Sequence, residues 1–244
     1  IADFSMTLSI DPVAANAYMN RGVAKSRSGD YIGAISDYNK SAEIDNQEKE
    51  HSPLFYGGSR KVDSALIYYN RGRAKYRTGD LEGAITDYSK AIEVDPNHAL
   101  AYYSRGVSRQ NSGDLKGALE DYNQAIEIDP KLARAYNNRG IARQNSGNLE
   151  GALEDYNQAI EIDPRLAPAY YNRGNNKRQL GDLKGALTDY SKAIEINPKY
   201  DSAYFIRGVA KGQSGDLQGA CEDWKKATAL GDEDAAEWVR EQCQ

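Results

Sequence analysis

A chain of 244 residues with 36 acidic and 31 basic side chains carries a formal charge of −5. That balance argues against nucleic acid as a partner, because duplex binding normally needs a basic face, and no apolar run approaches the ~18 residues of a membrane span. Two histidines and two cysteines, scattered along the chain, make neither a metal cluster nor a disulfide framework.

The first predicted element is a helix within residues 1–14. Asp3-Phe4 and Leu8-Ser9-Ile10-Asp11-Pro12 match the second half of a unit that then recurs, so the chain reads as opening inside a repeat. Full units follow at 15–46, 65–98, 99–132, 133–166, 167–200 and 201–231. Gly72, Gly106, Gly140, Gly174 and Gly208 keep a spacing of 34 residues, and each follows an arginine. A fixed period of this size marks a stacked-repeat architecture.

Residues 99–132 illustrate the unit. Ala99, Ala101, Tyr102 and Gly106 line one face of a first helix, and Leu115, Ala118, Leu119, Tyr122, Ala125, Ile126 and Ile128 line one face of a second. Gly113 between them suits the left-handed conformation that ends a helix, and Asp114 suits the cap of the next. Asp129-Pro130 closes the second helix, since a residue before proline avoids helical geometry. Counting from Ala99, position 8 is Gly and position 20 is Ala in all six units, so the two helices can approach closely. Tyrosine at position 4 and an aromatic at position 24 fill the space around them, each with a polar tip for a hydrogen bond.

Three features depart from the period. Residues 47–64 form an insertion or linker: the preceding second helix runs on through Asn46–Glu50, and Leu54, Phe55 and Tyr56 then form an apolar centre between flexible ends. This is either a tolerated surface insertion or a segment that docks on a partner. Residues 232–244 read as a capping helix with a stripe of Ala235, Trp238, Val239 and Cys243. Cys221 and Cys243 read as small buried apolar residues, with their pairing left open.

The 34-residue length, Gly at 8, Ala at 20, an aromatic at 24, Ala near 27 and Pro at 32 resemble the tetratricopeptide repeat (TPR), over nearly the whole chain and in a version similar to bacterial and cyanobacterial arrays. The resemblance implies an all-α, right-handed superhelical solenoid of antiparallel helix pairs with a C-terminal cap. It also implies a non-catalytic scaffold or adaptor for protein partners, without a cofactor. One departure stands out. Position 7, usually apolar in the family, is always Arg (Arg21, Arg71, Arg105, Arg139, Arg173, Arg207), and position 11, usually aromatic, is Lys or Arg. Asp at position 23 recurs as strictly as the arginine, which points to an internal Arg–Asp ladder rather than a phosphate-binding stripe.

In TPR proteins the concave wall comes from first-helix positions 2, 5, 6, 9, 12 and 13. Across six units these 36 positions hold five arginines, Arg27, Arg73, Arg77, Arg134 and Arg178, and no acid; composition alone would place roughly five acids there. Asn20, Asn70, Asn138 and Asn172 recur at position 6, where amides can bond a peptide backbone without reading its sequence. Tyr69, Tyr103, Tyr171 and Phe205 at position 5 offer flat apolar surfaces. The expected ligand is an extended, acidic polypeptide or a C-terminal carboxylate. The family's chaperone-type carboxylate clamp is not matched, because no unit has Lys at 5. The alternative is a structural module forming homo-oligomers through exposed repeat ends, or an assembly factor for a membrane complex. Nothing in the sequence supports an enzyme: His51 and His98 lack a nucleophile partner and no phosphate-cradling loop is present. Composition suits a soluble protein, with the cytoplasm favoured and a membrane-peripheral or periplasmic place left open.

Overall fold

The computed structural model describes residues 2–10, 14–51 and 63–243, all of them helical or in short turns. The chain divides into two compact units, Ile1–Asp129 and Pro130–Gln244. The first holds α1 (Ala2–Ile10), α2 (Ala15–Arg27), α3 (Tyr31–His51), α4 (Ser64–Arg77), α5 (Leu81–Val94), α6 (Ala99–Asn111) and α7 (Leu115–Ile128). The second holds α8 (Ala133–Asn145), α9 (Leu149–Ile162), α10 (Ala167–Gln179), α11 (Leu183–Ile196), α12 (Asp201–Gln213), α13 (Leu217–Leu230) and α14 (Glu233–Gln242).

Helices pack as consecutive hairpins: α2 on α3, α4 on α5 and α6 on α7 in the first unit, and α8 on α9, α10 on α11 and α12 on α13 in the second. The turn chemistry follows the sequence. Gly113 takes φ +90°, which lets α6 stop and the chain reverse. The Asp114 carboxylate then accepts from the Gly117 N–H, 2.9 Å away, and caps α7. Asp129 leaves the helix in extended geometry, as the residue before Pro130 must.

Within each pair the small residues set the helix separation. Ala34, Ala84, Ala118, Ala152, Ala186 and Ala220 are fully buried. The aromatic at position 24 lies flat against the position-8 glycine, so that a Cβ on Gly106 would stand 2.7 Å from Cε1 of Tyr122. Tyr38, Tyr88, Tyr122, Tyr156, Tyr190 and Trp224 are the largest buried side chains, one per pair.

α3 is longer than the other second helices, 21 residues against the 14 of α5, and runs through Asn46–Glu50 to His51 as the sequence predicts. Its Asp45 carboxylate, buried, accepts from the Ser64 hydroxyl at 2.7 Å and ties the start of α4 to α3. Leu54, Phe55 and Tyr56 lie outside the described residues.

The cysteines require a correction. Cys221 on α13 and Cys243 after α14 are joined in a disulfide, with Cα atoms 5.6 Å apart, rather than buried separately as small apolar residues. Their helices face each other because Ala235 of α14 is fully buried and Trp238 packs on Trp224 and Phe205, with ring centroids 4.9 and 5.9 Å away. No described helix is long and apolar enough to cross a membrane.

Candidate functional site

The repeated cations fall into two sets with different surroundings. The first set belongs to the scaffold. Arg139 Nη2 meets Asp155 Oδ1 at 2.7 Å while its Nε donates to the same carboxylate, so the pair is bidentate. The position-11 cation closes on the other oxygen: Arg143 Nη1 lies 3.0 Å from Asp155 Oδ2. All six pairs repeat this arrangement, with Lys25, Lys75, Arg109, Lys177 and Lys211 in the second role. The aspartates are buried, and each guanidinium also lies over the position-4 tyrosine ring, as Arg139 does over Tyr136 at 5.4 Å. The position-4 tyrosine is therefore a platform for the arginine more than a core filler. At Asp37, burial alone would raise the carboxyl's pKa, but hydrogen bonds from Arg21 and Lys25 outweigh it and hold it below the usual range.

The core tyrosines reach through to the first-helix face. Tyr122 donates to Gln110 Oε1 at 2.9 Å and Tyr156 to Gln144 Oε1 at 2.8 Å, both acceptors at position 12. Tyr190 donates to Asn175 Oδ1 at 2.9 Å, and burial pushes its phenol up to about 12, partly offset by Arg178 beside it. In the first pair, position 12 is Ser26, and Tyr38 has no hydrogen-bond partner among the described residues.

In the first unit the structure gathers four of the sequence-predicted residues in one place. Arg27, Arg73 and Arg77, with Asn70 and Ser26, surround a cavity of about 470 Å³ whose remaining wall is Val23, Tyr31, Tyr38 and Leu66. The three arginines are exposed, and no carboxylate pairs with any of them among the described residues. Arg73 also lies 5.7 Å from the centroid of Tyr69. Tyr69 is half-buried between Tyr88 and His98, at 5.9 and 4.8 Å, and Tyr103 packs on Tyr122 at 6.2 Å. Asn20 is exposed on α2, outside the cavity lining.

In the second unit the asparagines form a chain of their own. Asn172 Nδ2 donates to Asn137 Oδ1 at 2.9 Å, and Asn137 Nδ2 donates to Asn138 Oδ1 at 3.0 Å. Asn137, at position 5, is the buried middle member. Tyr171 packs on Tyr190 and Tyr200, and Phe205 is met edge-on by Trp238. Arg134 is exposed on α8. Arg178 is half-buried, with its Nε enclosed and unpartnered.

Sequence reasoning missed the second cation on each aspartate, the tyrosine–position 12 bond and the pairing of Tyr69 with His98 and of Tyr171 with Tyr200. Position 34, which holds both His98 and Tyr200, is a ring in only these two units, so no repeat rule announces it. Among the described residues no group of three His, Cys, Asp or Glu is placed to hold a metal.

Tetratricopeptide-repeat family models match residues 15–48 and 133–166, and a TPR-repeat model matches 72–113, 111–147 and 174–215; together they span more than half of the chain. No curated protein matches it significantly in sequence. Among solved structures, MamA is 28% identical, covering 71% of this chain and 95% of its own, with a TM-score of 0.60. YrrB, a TPR protein with an unusual peptide-binding site, is 24% identical, covering 82% of this chain and 95% of its own, with a TM-score of 0.61. A tetratricopeptide repeat protein from Parabacteroides merdae is 21% identical, covering 100% of this chain and 91% of its own, with a TM-score of 0.70. The last two likenesses speak to the fold alone.

Proposed function

The chain belongs to the tetratricopeptide-repeat family, and from that premise we propose that it is a non-catalytic scaffold holding an extended, acidic polypeptide along its first-helix faces. The contrast between the two sets of cations carries this reading. Every arginine at position 7 and every cation at position 11 has a buried aspartate beside it. The arginines on the first-helix face have none among the described residues, and Arg27, Arg73 and Arg77 converge. Uncompensated guanidiniums with fixed donors suit a ligand that brings carboxylates, through charge-assisted bonds. Asn70 has no side-chain hydrogen bond among the described residues, and Asn172 keeps its Oδ1 as an acceptor while its Nδ2 donates to Asn137, which suits a peptide backbone that both donates and accepts.

Self-assembly through repeat ends has less support. In the register of the repeat, α14 carries Glu241 at position 7 and Gln242 at position 8. A second helix from another copy would find neither the arginine for its aspartate nor the glycine for its aromatic.

The reading is tested by titrating a labelled acidic peptide into the intact chain and into Asn70→Ala/Asn138→Ala/Asn172→Ala. A several-fold loss of affinity with native helicity is expected, together with a fall in melting temperature because the buried Asn137 loses both amide partners. Equal affinity would remove the asparagines from the site.

A further inference from the structure

We propose that the cavity between α2 and α4 seats a phosphoryl group carried by the bound polypeptide. This deepens the polypeptide-binding reading and rests on it. Arg27, Arg73 and Arg77 bring three positive charges around one space of about 470 Å³, and no carboxylate enters its lining. Like charges so arranged repel one another unless an anion enters between them. Elsewhere in the molecule the fold provides that anion itself, one buried aspartate per pair of cations.

A second observation points into the same space. Tyr38 is 1% exposed and lines the cavity, yet its hydroxyl has no hydrogen-bond partner among the described residues. Its counterparts Tyr122 and Tyr156 donate to glutamines. The first pair has Ser26 at that position, too short for the same bond, so the phenol is left as a donor facing the arginines. Burial pushes its pKa up to about 12, which keeps the proton on at neutral pH.

The ligand's chemistry follows from the count. A carboxylate offers one charge and two oxygens, enough for the two cations that each ladder aspartate engages, and leaves the third guanidinium unmatched. A phosphoryl dianion offers nearly two charges and three oxygens, enough to engage three guanidiniums, with the phenol and the Asn70 amide as neutral donors. Arginine forks match phosphate geometry better than lysine would. The cavity is larger than a phosphate, and its apolar wall leaves room for the side chain that carries the group.

The test uses three labelled, amidated peptides of one acidic sequence, differing only in a central serine, glutamate or phosphoserine, titrated by fluorescence polarisation into the whole chain. The phosphoserine peptide should bind about tenfold or more tightly than the glutamate peptide, as charge-assisted bonds to a dianion imply. Arg73→Gln and Arg77→Gln should each bring the two to similar affinity. Tyr38→Phe should weaken only the phosphoserine peptide, at unchanged melting temperature. Equal affinity for glutamate and phosphoserine, with both sensitive to the asparagine substitutions, would overturn this proposal and leave the polypeptide reading standing. No binding of any peptide would remove that reading as well. If inorganic phosphate alone raised the melting temperature through Arg73 while the phosphopeptide failed to bind, the cavity would be a free-phosphate site and the proposal would be overturned.

Discussion

A methyl group added at Gly140 would stand 2.7 Å from Cε1 of Tyr156, a buried ring with no room to retreat. Alanine favours a helix over glycine by ~1 kcal/mol, yet overpacking costs ~1–3 kcal/mol. Gly140→Ala should therefore lower stability in chemical denaturation; a stabilised variant would show that the ring can move. The sixth pair keeps the same constraint at Gly208, where a Cβ would stand 2.5 Å from Trp224 Nε1. Trp224 replaces tyrosine there, and Gly212 takes position 12, where a Cβ would meet the indole at 3.7 Å. That distance is ordinary van der Waals contact, and the indole N–H is left unpartnered among the described residues.

The buried aspartates belong to the same scale. Asp155→Asn leaves Arg139 and Arg143 without their counter-charge and should cost ~3–5 kcal/mol. In a double-mutant cycle with Arg139→Met the losses should be strongly non-additive; additive losses would mean that the pair does not interact. The pH dependence follows from Asp37, whose folded-state pKa is depressed. Its contribution is complete above the unfolded carboxylate value near ~3.9 and is lost as pH falls through the lower folded value. The buried Tyr38 and the half-buried Tyr200 act at the other end. Tyr38 and Tyr200 are pushed up to about 12 by burial, so their contribution is complete below ~10 and is lost as pH rises from there. Thermal melts across pH should show a plateau between these limits, and a fall already at pH ~6 would contradict the assignment.

At the level of elements, much was readable because the repeat states its rules in several units. The Asp114 cap, the Gly113 reversal and the Asp129-Pro130 stop follow from residue type alone. The Arg–Asp ladder was readable because the acid recurs with the base. The position-11 cation was not, since one aspartate serves two cations and no second acid marks it. The disulfide was not readable either: Cys221 and Cys243 are 22 residues apart, and only the docking of α14 brings them together. That bond should stabilise the docked α14 by ~2–4 kcal/mol. Reduction with dithiothreitol should expose Trp238 and Trp224, shifting tryptophan emission to the red, while hydrogen exchange in α8–α11 stays unchanged. Unchanged emission would mean that the aromatic contacts hold α14 without the bond.

At the level of the whole molecule, the acid-free first-helix face was visible as a composition bias, but its focus was not. Arg27 and Arg77 stand at the same repeat position on either side of the insertion at 47–64, and they converge with Arg73 only once α2 and α4 flank one cavity. The recurrence of asparagine at position 6 is visible in the sequence, whereas the bond from Asn172 to Asn137 depends on a position-5 residue that breaks the aromatic pattern. The polypeptide-binding account is tested most directly by the affinity of the intact chain for an extended acidic peptide beside its lysine counterpart, at low and high salt. The account predicts that only the acidic peptide binds, that binding weakens as salt screens the arginines, and that Arg27→Gln/Arg73→Gln/Arg77→Gln abolishes the difference. Equal binding of the two peptides, or a preference untouched by salt and by those substitutions, would contradict it.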